Sequence, residues 1–204
     1  MARIPAFSDG SKLTQDIPLA SGQVVTVGAD ATVAGTGVTL ADANAAAIRK
    51  LTFTFVNAQV TLADEAGVVA YGGLKFCDMQ AGAIIFLGAV SDLDVTKSSA
   101  GVNDDWDGDF AIGTVTASNN NTLTGTEASI LPSTATPQAS GGATTANGQS
   151  TLTQSGTVVD GTSTAVDVYI NFLVDDADHN VTGTACNLIL NGTVTLLYAN
   201  LGDY

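Results

Sequence analysis

Between Asp167 and Val174 the chain alternates with a period of two: Val168, Ile170, Phe172 and Val174 share one parity, and Asp167, Tyr169, Asn171 and Leu173 share the other. Side chains of an extended strand point alternately to its two faces, so this stretch predicts a strand with one apolar face turned toward a core. Cys186–Leu190 is a second such run. After Asn191-Gly192, a pair that suits the positive backbone angles of a tight hairpin, Val194, Leu196 and Tyr198 resume the alternation. Three sheet segments are therefore expected close together at the C-terminal end. Between the first two, Asp175-Asp176-Ala177-Asp178-His179-Asn180 is too polar and turn-prone to continue a strand, and predicts a reversal in solvent.

The same reading runs upstream. Leu51–Val56 and Gln59–Leu62 predict two strands on either side of Asn57-Ala58, and Val68–Tyr71 and Leu74–Cys77 two more divided by Gly72-Gly73. Gln23–Val27 and Phe110–Thr116 add to the list. Ala83–Val90 is apolar without a break, the pattern of a strand covered on both faces, and Leu93 and Val95 extend it. Leu40–Lys50 is the one stretch with helical character: Asp42 suits an N-cap, Ala43, Ala45, Ala46 and Ala47 favour the helical backbone, and Arg49 and Lys50 suit its negative C-terminal end. Residues 1–22 contain Pro5 and Pro18, show no period, and predict an extended N-terminal arm ahead of one domain over residues 23–204. From Ser118 to Gly156 the composition shifts to Thr, Ser, Asn, Ala and Gly with Pro132 and Pro137; a structureless loop of that length is unusual in a compact domain, so an ordered excursion at 118–156 is expected. Thr126–Leu131 should form a local turn within it, and Ser140–Ala143 its flexible point. Many short strands with at most one short helix place the chain in the all-β class, as an antiparallel β-sandwich or jelly roll.

Charge narrows the partners. The 204 residues carry 20 acidic against 6 basic side chains, a net charge of −14, which opposes nucleic acid and anionic membrane surfaces alike. Only 13% of the residues are charged and the mean hydropathy is positive, a composition thin in charge for a monomer's surface, which predicts contacts between subunits. No apolar run has the length of a secretory signal or a bilayer span, so a soluble protein made in the cytoplasm is expected. Cys77 and Cys186 lie in apolar strand-like surroundings and are expected as two buried thiols, not a disulfide.

The search for chemistry returns no catalytic, cofactor-binding or metal residue. His179 is the sole histidine and sits in an acidic turn, where a solvated loop residue is the expected role; no nucleophile elbow and no phosphate-cradling glycine loop accompanies it. Asn103, Asp105 and Asp107, spaced by two ahead of Gly108, match the first half of a calcium loop, but Thr114 stands where a bidentate glutamate belongs. A hairpin-end loop is the better expectation, with Trp106 packed back on the sheet and Asp109 entering the next strand. Asp175, Asp176 and Asp178 could likewise face a hard cation, and are expected as a solvated turn. Glu65 and Glu127 are the only glutamates, too few to name an acid/base pair. Phe53, Phe55, Phe86, Phe110 and Phe172 fall inside strand runs and belong to the expected core.

The segments Tyr71-Gly72-Gly73-Leu74-Lys75, Asp104–Phe110, Leu123–Glu127, Ile130–Thr134 and Asp167–Asp178 resemble those of a family of virion proteins from tailed bacteriophages, a likeness that spans residues 50–204. The motifs are turns and strand edges, not a catalytic signature. The resemblance implies a non-enzymatic capsid decoration or cement protein of β-sandwich type. Such a protein would sit as a homotrimer on the outer surface of the virion head, against the major capsid protein, after assembly in the host cytoplasm. A head-fibre, tail or host-attachment module that binds a receptor or glycan is the alternative it leaves open. A major capsid subunit or portal would need long helices, and the sequence predicts none.

Overall fold

The alternating stretches close into antiparallel ladders. The computed structural model describes residues 31–33, 35–45, 48–65, 69–118, 121–150, 158–161, 163–178 and 186–201. The arm at 1–22, the strand expected at Gln23–Val27 and His179 lie outside them. The strands are β1 (Ala31–Val33), β2 (Val38–Ala45), β3 (Ile48–Glu65), β4 (Val69–Met79), β5 (Gly82–Lys97), β6 (Gly108–Gly113), β7 (Leu131–Thr136), β8 (Ala143–Thr145), β9 (Gly148–Gln149), β10 (Val158–Gly161), β11 (Asp167–Asp175) and β12 (Cys186–Asn200). Sheet 1 runs β5-β12-β3-β2, with β8, β9 and β10 following one another along the outer edge of β5. Sheet 2 runs β4-β11-β6-β7, with β1 and the end of β3 along the other edge of β4. The chain is an all-β antiparallel sandwich in which β3 joins the two layers: Arg49–Leu62 pair with β12, and Ala63–Glu65 with β4.

The inward parities of both sheets meet in one core. Leu51, Phe53 and Phe55 of β3, Ile84, Phe86 and Leu93 of β5, and Val194, Leu196 and Tyr198 of β12 face Phe76 of β4, Phe110 and Ile112 of β6, and Val168, Ile170 and Phe172 of β11. The Phe76 ring stands edge-on to Phe53 at 4.9 Å and to Phe55 at 5.6 Å, the arrangement that sets the positive ring edge against a negative ring face. All five phenylalanines expected in the core are there, and Cys77 and Cys186 are buried free thiols.

Several local expectations are corrected. The described residues of Leu40–Lys50 form no helix: Val38–Ala45 and Ile48–Phe55 pair antiparallel in the register Val38↔Phe55 to Ala45↔Ile48. Alanine's helical preference is worth only tenths of a kcal/mol per residue, and the ladder of β3 with β12, together with burial of Leu51 and Phe53, overrides it. Asn191-Gly192 makes no hairpin. β12 runs on through a bulge where the register shifts between Leu190↔Ala58 and Gly192↔Phe55. Val56 and Asn57 of β3 stand there against Asn191; Gly192, opposite Phe55, has φ 126° and Asn57 φ 52°, and the Asn57 backbone N–H donates to Asn191 Oδ1 at 2.9 Å. The same bulge makes one strand of the two expected around Asn57-Ala58. Gly72-Gly73 does not interrupt β4; a Cβ on Gly72 would meet the Thr61 carbonyl oxygen and one on Gly73 the Asn171 Oδ1, so the glycines permit close approach of neighbouring strands. Ala83–Val90 has one covered face, not two. Ile84, Phe86 and Ala89 are buried, while Ile85 and Leu87 are half-buried and Val90 is exposed.

Residues 121–150 cross from the edge of sheet 2, where β7 pairs with β6, to the edge of sheet 1, where β8 and β9 pair with β5. The expected local turn is a 3-10 turn over Gly125–Ala128. Ser140–Ala143, expected to be the flexible point, is instead tied down: Ser140 N–H donates to Ala143 O at 2.9 Å, and Gly142 O accepts from Lys97 N–H at 2.9 Å and from the Trp106 indole at 3.1 Å. Among the described residues no helix is long and apolar enough to cross a membrane.

Candidate functional site

Three arrangements concentrate the polar side chains. The first joins the two acidic loops that the sequence presents as separate cation candidates. Trp106 is fully buried, as expected of a hairpin-end loop, and its insertion pulls residues 103–107 against the 3-10 turn Asp176–Asp178 at the end of β11. Asn103 N–H donates to Asp178 O at 2.8 Å, Asn103 Nδ2 to Ala177 O at 3.2 Å, and Asp107 N–H to Asp178 Oδ2 at 3.4 Å. Carboxylate oxygens of Asp107, Asp175 and Asp178 consequently lie within 4.8 Å of one another. Partial burial, then the charges of Asp107 and Asp109, raises the Asp175 carboxyl above the ordinary aspartate range. Burial and the Asp107 carboxylate raise Asp178 in the same sense. Such a trio can share protons or present oxygens to a hard cation. Of the spaced-by-two ligands read from the sequence only Asp107 joins the carboxylate trio: Asp105 is exposed, and Asn103 donates to the Ala177 and Asp178 carbonyl oxygens instead.

The second arrangement is on the outer face of sheet 2. Lys75 on β4 lies 2.6 Å from Asp78 and 3.1 Å from Asp167 on β11, and the Tyr169 hydroxyl donates to Asp167 Oδ2 at 3.1 Å. Hydrogen bonding to Asp78 and then Asp167 raises Lys75 further above its already high value, so it stays an ammonium. Asp167 is lowered, because hydrogen bonds from its neighbours, among them Lys75 and Tyr169, outweigh the upward push of burial. Next to Lys75, where β3 leaves sheet 1 for sheet 2, a cleft of about 540 Å³ is lined by Gly35, Thr36, Asn57, Gln59, Leu74 and Lys75. Amide groups, a charge-balanced ammonium and one apolar wall can hydrogen-bond a neutral polyhydroxylated molecule; a general base they are not, with the amine held protonated. Sequence reading missed this site because its members lie far apart in the chain and meet only through strand register.

The third is buried. On β11 Asn171 has no exposure: its Oδ1 accepts from Ala117 N–H at 2.9 Å, and its Nδ2 donates to Val115 O at 2.9 Å and Glu127 O at 2.8 Å. Glu127 Oε1 accepts from Ser118 N–H at 2.8 Å and Ser118 Oγ at 2.5 Å, and its Oε2 from Thr124 N–H at 3.3 Å. These bonds fasten the start of the excursion over the outer face of sheet 2, where Ala117 and Leu123 pack with Val69, Ala111 and Leu173 in a small second core. The sequence signal was available: a single asparagine among Ile170, Phe172, Leu173 and Val174. No protein-family model matches the chain, and neither a curated protein nor a solved structure matches it.

Proposed function

We propose that this chain is a non-enzymatic structural protein of a tailed-bacteriophage virion, a decoration or cement protein that binds the outer surface of the head, contacts the major capsid protein and stabilises the shell. One observation carries the reading: the buried polar side chains fasten backbone to backbone. Asn171 and Glu127 hold residues 115–118 and 124–127 to sheet 2, and Trp106 holds the 103–107 loop to the Gly142 turn. Side chains used in this way make a stiff slab whose connections are pinned, and stiffness is what a reinforcing protein needs. Many weak contacts, multiplied by a lattice, then supply cohesion. The family resemblance supports the same reading, and the charge of −14 suits the outside of a shell better than the side facing packaged DNA. The test uses shells purified without this protein. Added protein should co-sediment with them and raise the temperature at which they release DNA; no co-sedimentation overturns the proposal.

The cleft beside Lys75 favours one second reading, a head-fibre, tail or host-attachment module, because its amides and balanced charges suit a neutral glycan. Binding to host cells that is lost on Asn57→Ala with Gln59→Ala, and no binding to bare shells, would decide for it.

A further inference from the structure

The large apolar side chains left exposed are not scattered. Among the described residues, Ile48, Val56, Val90, Val158, Leu197 and Leu201 all fall on the outward parity of sheet 1 and its immediate continuation, and only Val115 lies elsewhere. Strand register orders them in rows. Val158 is opposite Ile85, which is opposite Ala199; Leu197 is opposite Gly88 on one side and Lys50 on the other; Thr195 is opposite Val90 and Thr52. Thr54 and Thr193 follow, facing Asp92. From strand spacing and rise, this surface measures about 20 Å by about 25 Å, a footprint of roughly 500 Å². A contact of that size is of the order of one partner's share of a specific interface, about 800 Å² of accessible surface. A face of this extent, with exposed aliphatic side chains distributed among threonines, is large enough to serve as an interaction site.

We propose that this face packs against the same face of a second copy of the chain. Two observations select that occupant. The first is β5 itself, whose unbroken apolar run has the composition of a strand covered on both faces, although the described residues cover one: Val90 is 50% exposed and, on the strands that flank β5, Val158 is 52% and Leu197 38% exposed. The second is charge. Two chains of net charge −14 repel through most of their surfaces, yet the interior rows of this face hold no carboxylate. Among the described residues its acids stand at the rim, Asp92 and Asp94 on β5 and Asp160 on β10, and its one exposed cation, Lys50, stands toward the opposite side on β3. A two-fold axis lying in the face through Thr195, across the line from Lys50 to Asp92, sets each Lys50 opposite the second copy's Asp92 and Val90 and Leu197 between them. An isologous contact requires this self-complementarity. A polyanionic partner would find a single ammonium there.

A two-fold contact yields a pair, not the trimer implied by the family resemblance. It is measured on purified full-length protein with no shell present, so its failure leaves the shell-binding proposal standing. Light scattering should give twice the chain mass. Val90→Asp and Leu197→Asp should each weaken association at least 100-fold and yield monomers, with far-UV circular dichroism and melting temperature kept. Lys50→Asp and Asp92→Lys should each weaken it about tenfold, and the two together restore it. Should the aspartate variants fail to fold, Thr195→Cys provides the second measurement: at the axis it should join to its counterpart through a short bismaleimide, while the buried Cys77 and Cys186 stay unreacted. A wild-type monomer, an odd-numbered assembly, folded aspartate variants of unchanged mass, or no cross-link at Thr195 overturns the inference.

Discussion

Asn171 is the residue on which the outer layer of sheet 2 depends most. Replacing it by leucine removes three hydrogen bonds and leaves Ala117 N–H, Val115 O and Glu127 O without that partner in a buried setting. A buried polar group left unsatisfied costs about 1–3 kcal/mol, so Asn171→Leu should destabilise by about 3 kcal/mol or more in urea unfolding. Amide exchange should quicken first in residues 114–128; uniform quickening would contradict the account. The Asp107, Asp175 and Asp178 trio makes the opposite prediction. A carboxyl whose folded pKa is raised contributes stability below its unfolded pKa, about 3.9, and loses that contribution as pH rises through the folded value, so Asp175 and Asp178 oppose folding at neutral pH. Asp178→Asn should therefore raise the melting temperature at pH 7, by no more than the few degrees that about 1 kcal/mol between partly exposed groups represents in a chain of this size. The gain should vanish below about pH 3.5, where the wild type is itself protonated. A gain that persists there would assign the effect to something other than charge.

At the scale of elements, strand parity carried most of what the sequence disclosed. The inward sets Val168–Ile170–Phe172 and Val194–Leu196–Tyr198 are the core sets, because a period of two has only one way to bury an apolar face. What parity could not disclose was continuity. Asn191-Gly192 and Gly72-Gly73 read as interruptions because glycine and asparagine serve turns and bulges alike; which one they make depends on the partner strand. Gly192 keeps its place in the ladder opposite Phe55, beside a bulge whose extra residue lies at Val56-Asn57 of β3, and Gly72 lies against Thr61 and becomes a close approach. Leu40–Lys50 failed for a related reason, since alanine-rich composition reports local preference while β12 supplies a ladder that local preference cannot see. The carboxylate trio was half legible: both loops stood out for their acids, and only Trp106 burial brings them together. Gly192→Val tests the bulge. Its φ of 126° is strained for any side chain, and a Cβ there meets the Asp92 carbonyl oxygen, so the variant should lose about 2 kcal/mol or more. Phe76→Ala, which empties the centre of the aromatic trio, should cost about 3–5 kcal/mol.

For the whole molecule, the architecture is two pinned layers with their polar chemistry turned to fastening, one layer clad by an excursion and the other presenting a broad face of threonine and aliphatic side chains. That division gives the molecule two kinds of surface with different expected behaviour in salt. Contacts made through the sheet 1 face depend on apolar burial and should strengthen or hold as ionic strength rises. Any approach through the acidic remainder should be repulsive at low salt and eased by screening. The proposed role places the protein on the exterior of a particle, and the most direct measurement is a cryo-electron-microscopy map of purified virions of the phage that this role implies. The account predicts density of a two-layered β-sandwich on the outer surface of the head, seated on the major capsid lattice. Mature particles whose heads lack that density, with the protein absent or confined to another structure, would contradict it.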